Sequence, residues 1–335
     1  MWRPLPPTAL LLLAMGVSPV HADVDADYAV PTRIDRIGRI IVPVTVNCRG
    51  PFAFVLDTGA NASVLSPHLA QALGLHVDPA QMVMIRGVTG SASAATAAII
   101  RLEAGETLLE RRRLAVADAS FMATDGVLGV DGFSNKVVLV DFVHDRVSVL
   151  DAREHRPSPG LTRIAAKMPF GRLLMVDALV GTHKVTAIVD TGAQRTLGNL
   201  ALYAKLGLRP TDSYRDTIAE VIGATDSRQS GERQVVREVS MGELRITQLT
   251  VTFGNFYIFK IWNLQLQPAL LIGMDMIGTL DTFGVDYLRR EVQMKVAGPG
   301  SAQARARARA TSLASPENRP LEPTARTSPD CPGGY

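Results

Sequence analysis

The chain repeats one pattern twice, and this internal repeat constrains its fold more than any other feature of the sequence. When Asp57 is aligned with Asp190, at an offset of 133, residues 38–60 match residues 171–193 without a gap. Farther along, the offset drifts to 144 or 145, where GVLGVDGF meets LLIGMDMI. We therefore expect an insertion of about a dozen residues in a surface loop of the second copy. Two similar units in one chain predict two similar lobes.

Each copy carries the same order of predicted elements. Alternating apolar residues form a hairpin that runs into Asp-Thr-Gly-Ala, and a short amphipathic helix then ends at Leu-Gly-Leu. A Gly-containing hairpin follows, in which Gly90 aligns with Gly223, and two apolar residues before a Gly come later. Short β-runs separated by turns predict an all-β fold class, mostly β with short helices, in two similar lobes.

The domain boundaries follow from shifts in composition. The segment AREHRPSPG is polar and Pro-rich, as linkers are, and the last part of the chain is dominated by Gly, Pro, Ser, Ala and Arg, which predicts disorder. We assign 1–22 to a signal peptide, 23–31 to an N-terminal segment, 32–151 to the N-terminal lobe, 152–166 to the linker, 167–296 to the C-terminal lobe and 297–335 to a disordered tail.

The first 22 residues have the three-part pattern of a secretory signal. Arg3 precedes the apolar run TALLLLAMGV, and SPVHA follows with small residues before a cleavage site after Ala22. The apolar run is about half the length that a membrane-spanning helix needs, although a membrane anchor is the alternative. We expect export, to the periplasm if the source is Gram-negative, with no membrane span left after cleavage.

Composition excludes several classes of function. Arg3 and a net charge of +2 in 297–335 account for the whole formal charge of +3, so the body of the chain is neutral and offers no basic surface to nucleic acid. The six His are scattered, and no Cys-x-x-Cys or His-x-x-x-His pair is present, so we expect no metal and no other cofactor. A Cys48–Cys331 disulfide would hold a flexible tail, and we expect these cysteines to stay unpaired.

The two Asp-Thr-Gly turns indicate paired carboxylates. If the lobes pack about a pseudo-two-fold axis, Asp57 and Asp190 meet there, and two carboxyl groups that close share one proton. Such a pair can activate a water molecule and protonate a departing amide nitrogen without a covalent intermediate or a metal. We therefore predict Asp57 and Asp190 to be catalytic. The alternative is that the duplication copied an ordinary turn.

The residues after each Asp fit supporting roles. The Thr hydroxyls can hydrogen-bond across the axis, and the glycines lack Cβ, so backbone N–H groups can approach the carboxylates closely. The predicted supporting residues are Thr58, Gly59, Ala60, Thr191, Gly192 and Ala193.

These motifs resemble those of the retropepsin-like and pepsin-like aspartic peptidases, over about residues 32–296. VLDTGANAS and IVDTGAQRT are closer to the retroviral-like branch, and the downstream apolar-apolar-Gly of the family is matched by Val127-Leu128-Gly129 and Leu271-Ile272-Gly273. The resemblance implies the bilobal acid-protease fold, with two β-barrel lobes related by a pseudo-two-fold axis. It also implies an extended polypeptide substrate with apolar side chains at the scissile bond. One chain would supply both halves of the site, so we expect a monomer.

The same resemblance implies flaps, the hairpins that close over substrate. The candidate flap residues are Gly87, Val88, Thr89, Gly90, Ile222 and Gly223. Pepsin-like members carry a flap Tyr, and MIRGVTGSAS has none.

A further departure from the family pattern occurs in both lobes. Retroviral enzymes place an Asp after the turn and a partner Arg after the downstream Gly, whereas this chain has Asn61 with Val130 and Gln194 with Met274. The nearby Asp131 and Asp275 are expected to cap the helices that follow, and Arg195 to be exposed.

The sequence therefore predicts an exported aspartic endopeptidase. A catalytically silent peptide-binding protein of the same fold is the first alternative, supported by the missing flap Tyr. An assembly protein, in which each lobe pairs with another chain, is the second.

Overall fold

In a computed structural model, the chain is described over residues 29–31, 33–34, 38–117, 124–171, 173–209, 218–225 and 227–298. The predicted signal peptide and nearly all of the predicted tail lie outside these residues. Strands predominate in the described part and the helices are short, so the prediction of a mostly β, bilobal fold is confirmed.

The first lobe contains eight of the described strands and one α-helix. They are β2 (Arg33–Ile34), β3 (Ile40–Val46), β4 (Arg49–Leu56), β5 (Val64–Leu65), α1 (Pro67–Ala72), β6 (Val77–Arg86), β7 (Ser91–Ala104), β8 (Thr107–Val116) and β9 (Gly126–Leu128), followed by a 3₁₀ turn at Val130–Gly132.

The second lobe repeats this order. Its elements are β13 (Met175–Val180), β14 (His183–Val189), β15 (Leu197–Gly198), α2 (Leu200–Lys205), β16 (Ile218–Ile222), β17 (Arg228–Met241), β18 (Leu244–Phe253), α3 (Tyr257–Ile261), β19 (Ala269–Ile272) and α4 (Met274–Ile277).

A shared sheet joins the two lobes. It is formed by β1 (Ala29–Pro31), β10 (Lys136–Asp141), β11 (Arg146–Asp151), β12 (Thr162–Lys167), β20 (Leu280–Asp286) and β21 (Glu291–Val296). Its central antiparallel pair, β10 with β20, takes one strand from each half of the chain. Strand β12 occupies the second half of the segment assigned to the linker, where it pairs with both β21 and β13.

Each lobe is a closed six-stranded barrel. Pairing of β3 with β7 closes the first barrel, and pairing of β13 with β17 closes the second. Closure removes two free strand edges in each lobe, which leaves the flap strands β6 and β16 at the ends of their sheets.

The strand that leads into each Asp has a paired strand on both sides in the wall of its barrel. Strands β4 and β14 pair in parallel with β9 and β19, and the last residues of both are fully buried. Strands covered on both faces are continuously apolar, which explains FVL and AIV before the two Asp residues. The buried strand ends therefore hold the turns that follow them in fixed positions.

The Leu-Gly-Leu segments end the two equivalent helices. Gly74 and Gly207 have positive φ angles of 67° and 65°, the left-handed conformation that terminates a helix and that glycine adopts without strain. The glycine in each repeat is thus required by the backbone turn.

Cys48 lies in the turn between β3 and β4 and is disulfide-bonded, so the expectation that it stays unpaired is wrong. The chain's other cysteine, Cys331, lies outside the described residues.

The drift of the repeat offset has a structural cause. Part of the extra length lies between β18 and β19, where the second lobe forms α3, and α3 packs in the core with Phe256, Ile258 and Phe259 buried. The expected insertion therefore includes a packed helix and is more than a surface loop.

The residue that caps α2 also organises the loop after α3. Asn199 is buried, and its side-chain oxygen accepts hydrogen bonds from the N–H groups of Leu202 (2.9 Å) and Ala269 (3.2 Å). Its side-chain nitrogen donates to the carbonyl oxygens of Leu264 (2.6 Å) and Gln267 (2.8 Å). The equivalent cap of α1, Ser66, accepts one hydrogen bond, from Leu69 N–H (3.0 Å).

We expect Asn199→Ala to destabilise the protein far more than Ser66→Ala does. Loss of a helix cap costs about 1 kcal/mol, whereas Asn199→Ala also leaves buried backbone groups unpaired and should cost about 3 kcal/mol or more. Urea unfolding of both variants measures the difference, and equal costs would contradict this account of the second lobe.

Candidate active site

The two Asp-Thr-Gly turns meet where the lobes face each other. Asp57 and Asp190 are joined by a side-chain hydrogen bond. Each carboxyl group also lies against the glycine of the opposite turn: a Cβ placed on Gly59 would lie 2.5 Å from Asp190 Cγ, and one on Gly192 would overlap Asp57. Glycine is therefore required at both positions, because any side chain would push the carboxyl groups apart.

The threonines of the two turns form a reciprocal set of hydrogen bonds. Thr58 N–H donates to Thr191 Oγ1 (3.0 Å), and Thr191 N–H donates to Thr58 Oγ1 (3.1 Å). The hydroxyl groups then donate to Val189 O (3.0 Å) and Leu56 O (2.7 Å), the ends of the opposite central strands. Both side chains are fully buried, so the four bonds hold the two turns together without competition from solvent.

The apolar-apolar-Gly segments pass directly behind the turns. Asp57 N–H donates to Leu128 O and Asp190 N–H donates to Ile272 O, each at 3.0 Å. A Cβ on Gly129 would lie 2.6 Å from the carbonyl carbon of Ala62, so this glycine lets the crossing strand approach the turn. The same arrangement holds at Gly273.

Burial raises the pKa of both carboxyl groups above the ordinary value of 3.8. For Asp190, the charge of Asp57 and their mutual hydrogen bond raise the pKa further, against hydrogen bonds from the N–H groups of Gly192 and Ala193. For Asp57, the hydrogen bond from Asp190 and those from Gly59 and Ala60 lower the pKa, but burial dominates. The pair therefore retains a proton to a higher pH than an exposed carboxyl group would.

The flap candidates lie at two hairpin tips that touch each other above the Asp pair. Thr89 Oγ1 donates to Ser227 O (2.6 Å), and Gly223 lies against the Thr89 side chain. Gly87 N–H closes one tip onto Gly90 O (2.8 Å), and Gly223 N–H closes the other onto Ser227 O (3.1 Å).

This geometry corrects the sequence alignment of the hairpins. Gly223 corresponds to Gly87, since each directly follows the first strand of its hairpin, so the alignment of Gly90 with Gly223 is wrong by three residues. The repeat offset had already drifted at this point, before the larger insertion.

A cleft of about 1050 Å³ runs between the Asp pair and the flap tips. Its apolar lining residues include Val88, Val127, Leu173, Leu197, Ile258 and Trp262. Ile258 and Trp262 belong to the α3 region, which sequence reasoning did not include in the site. Ile258 N–H also donates to Val88 O (3.1 Å), so α3 holds the first flap as well as lining the cleft. The drift in repeat offset was the signal that could have found this segment.

Asp131 and Asp275 do not cap the helical turns that follow, so that expectation is wrong. Asp131 accepts a hydrogen bond from Ser63 Oγ (2.8 Å), and Asp275 accepts hydrogen bonds from Thr196 Oγ1 (2.7 Å) and Thr196 N–H (2.9 Å). Neither turn has a side-chain cap. These carboxyl groups instead orient hydroxyls that accept hydrogen bonds from Gly129 and Gly273 N–H, which steadies the crossing behind each Asp.

The residues that replace the family's Asp differ between the lobes. Asn61 Nδ2 donates to Phe170 O (3.1 Å) and ties the first turn to the segment before β13. Gln194 and Arg195 are exposed and line the cleft, as expected for Arg195. The two lobes thus have the same Asp-Thr-Gly contacts at the axis and differ in the residues that follow these turns.

Two searches within the described residues bear on other classes of site. They contain no group of three or more His, Cys, Asp and Glu arranged to hold a metal ion. Among the same residues, no helix has the length and apolar character needed to cross a membrane.

The family model for aspartyl proteases matches residues 42–131 and 176–276, which together make up more than half of the chain. Each match contains one Asp-Thr-Gly turn and its downstream apolar-apolar-Gly segment. Comparison with curated proteins gives no significant match.

The Asp pair predicts an unusual dependence of stability on pH. A carboxyl group with a raised folded-state pKa contributes stability that is present below its unfolded pKa of 3.8 and is lost as the pH rises through the folded value. Asn at position 190 does not ionise and retains an oxygen that can accept from Gly192 N–H. We expect Asp190→Asn to raise Tm at pH 7, with the gain disappearing near pH 3.8.

Scanning calorimetry between pH 3.5 and 7 measures this effect. The increase should be several degrees, since one pKa unit corresponds to about 1.4 kcal/mol and each kcal/mol shifts Tm by about 2–4 °C. Asp177→Asn, at an exposed carboxylate paired with Lys167, is the control and should leave Tm unchanged. A lower Tm for Asp190→Asn at pH 7 would contradict the assignment.

Proposed function

Because the chain belongs to the aspartyl protease family, we propose that it is an endopeptidase in which Asp57 and Asp190 hydrolyse peptide bonds. The observation that carries the proposal is the contact between the two carboxyl groups at the floor of a cleft. One chain supplies both carboxyl groups, which supports action as a monomer.

The proposed reaction needs one proton on the pair. The ionised carboxylate removes a proton from a water molecule between the two groups while the water oxygen bonds to the peptide carbonyl carbon. The protonated carboxyl group donates its proton to the carbonyl oxygen. The carboxyl group that took the proton from water then donates it to the amide nitrogen, and the C–N bond breaks. The other carboxylate takes a hydroxyl proton from the tetrahedral intermediate, so the pair again holds one proton.

The substrate we propose is an extended polypeptide segment. The flap tips above the Asp pair and the long cleft suit a single strand, and the apolar inner wall suits apolar side chains on either side of the scissile bond. Gly87, Val88, Thr89, Gly90, Ile222 and Gly223 would then close over the substrate, and the first flap is held in place by α3.

Asp57→Asn and Asp190→Asn should each lower cleavage of an unfolded protein substrate by about 10²–10⁴-fold, the usual contribution of a general acid or base. Gel and mass-spectrometric assays measure the loss, and Asp177→Asn should retain full activity. A statine-containing inhibitor, which mimics the tetrahedral intermediate, should bind wild type. Cleavage that persists unaltered in both variants would exclude the pair, and binding of peptide without turnover by wild type would favour the silent peptide-binding protein.

We also propose that the protein is exported. The pattern of residues 1–22 supports export, and the disulfide at Cys48 suits an oxidising compartment. Expression of the full chain in a Gram-negative bacterium should give a periplasmic protein that begins at Asp23, as read by N-terminal sequencing. Deletion of residues 2–22 should retain the protein in the cytoplasm, and a full-length cytoplasmic product from the intact chain would contradict export.

A further inference from the structure

The walls of the cleft carry more positive than negative charge. The cationic lining residues within the described part of the chain are Arg39, Arg86, Arg112, Arg113, Arg195 and Arg233. Apart from the Asp pair, the acidic lining residues there are Asp131 and Glu220, and both are engaged. Asp131 accepts from Ser63, and Glu220 forms an ion pair with Arg228 at 2.7 Å.

Several of these guanidinium groups are available to a ligand. Arg86, Arg112 and Arg233 are exposed and form no ion pair or side-chain hydrogen bond with other described residues. Arg113 pairs with Asp78 at 3.4 Å, but this contact is at the surface, where ion pairs are weak and exchange readily. The cleft therefore presents arginine side chains whose charge is not neutralised within the described protein.

Two of the arginines occupy matching places in the two lobes. In the first lobe, Thr96 of β7 faces Ala115 of β8, and Arg113 lies two residues before Ala115 and donates to Thr96 Oγ1 (3.0 Å). The second lobe exchanges the two residue types between the strands. There Arg233 of β17 faces Thr252 of β18, and Thr250 lies two residues before Thr252. Each wall of the cleft thus carries one arginine on the same diagonal of the strand pair that follows its flap, β7–β8 in the first lobe and β17–β18 in the second.

The arginines lie on strands that do not adjoin the strands leading into the Asp pair. In the order of the sheets, two strands separate β8 from β4, and three separate β17 from β14. Ala115 pairs with Val64 of β5, and Arg113 is two residues farther along its strand, about 6–7 Å at the usual strand rise. The same cleft is lined by the apolar residues named above, together with the Asp pair. A strand in this cleft would place apolar side chains beside the Asp pair and its outer side chains near the guanidinium groups.

We propose that the enzyme selects polypeptide segments that carry acidic side chains on both sides of an apolar cleavage site. Arg113 recognises carboxylates on one side, and Arg233 recognises them on the other. Arginine suits this role because its planar group donates two parallel hydrogen bonds to a carboxylate. This inference deepens the proposed function and rests on it for the direction of the bound strand.

Three matched fluorogenic peptides test the proposal. They share an apolar pair at the scissile bond and differ only in the outer residues, which are Glu, Gln or Lys on both sides. At pH 6, where the usual Glu side chain is ionised, we expect kcat/KM for the Glu peptide to exceed that for the Gln peptide by about 10-fold at low ionic strength, since each exposed ion pair contributes a factor of up to about five. The Lys peptide should be cleaved most slowly.

Arginine variants locate the effect. Arg233→Gln and Arg113→Gln should each reduce the Glu-to-Gln preference by about threefold, and Arg233→Glu should favour the Lys peptide. Arg245→Gln is the matched control, since Arg245 is exposed on β18 outside the cleft and should leave the preference unchanged. Equal cleavage of the Glu and Gln peptides, or a preference that survives both cleft variants, would overturn the proposal.

A binding measurement separates this inference from the proposed function. Fluorescence anisotropy of the three labelled peptides with Asp190→Asn reports selection in the absence of turnover. If wild type cleaves none of the peptides, the proposed function fails, yet tighter binding of the Glu peptide that is lost in an Arg233→Gln background would still support the arginine assignment. If wild type cleaves peptides but Glu and Gln peptides bind and react alike, only the inference fails.

Discussion

The reciprocal hydrogen bonds between Thr58 and Thr191 are the interaction on which the rest of the site depends. Each threonine uses its hydroxyl both to accept from the opposite turn and to donate to the strand before the opposite Asp. The ends of two buried strands, one from each barrel, are therefore tied to a common point. Because this point is fully buried, the bonds are not exchanged for bonds to water, and the relative position of the lobes at the axis is defined by them. The shared sheet, with β10 beside β20, closes the same interface from the other side.

The reciprocal threonine hydrogen bonds, here called the clamp, hold two carboxyl groups in contact, an arrangement that is unfavourable in isolation. Asp190 is buried and Asp57 is half-buried, with their carboxyl groups in contact. Desolvation raises the pKa of each, so the folded protein is less stable at neutral pH than it would be with neutral groups there. The surrounding structure compensates through backbone donors: Gly59 and Gly192 each present an N–H to the carboxylate two residues earlier at 2.8 Å. Under the proposed function, the same carboxyl groups carry out the reaction, so stability and activity oppose each other at one place.

The sequence predicts those parts of the molecule that the repeat itself defines. The Asp pair, the supporting threonines and glycines and the glycine-terminated helices all lie in stretches that align without a gap. The errors lie farther along each copy, where contacts depend on distant segments or where the copies diverge. Ser63 and Thr196 reach Asp131 and Asp275 only because a strand crosses behind each turn, and no local pattern distinguishes that partner from a helix cap. The α3 helix has no counterpart in the alignment, so its contact with the first flap could not be read from the repeat.

The differences between the lobes show what the site needs on each side. The positions of Thr96 and Arg113 correspond to those of Arg233 and Thr250, with the two residue types exchanged between strands. Simple copying of the first lobe would place the arginine of the second lobe on β18, yet it lies on β17. Each wall therefore carries one arginine on this diagonal, supplied by β8 in the first lobe and by β17 in the second. The flaps, by contrast, are supported differently in the two lobes. The α3 helix restrains the first flap, and no equivalent helix is described at the second. A single chain permits this combination, because each lobe can change alone while the clamp at the axis keeps the carboxyl groups paired.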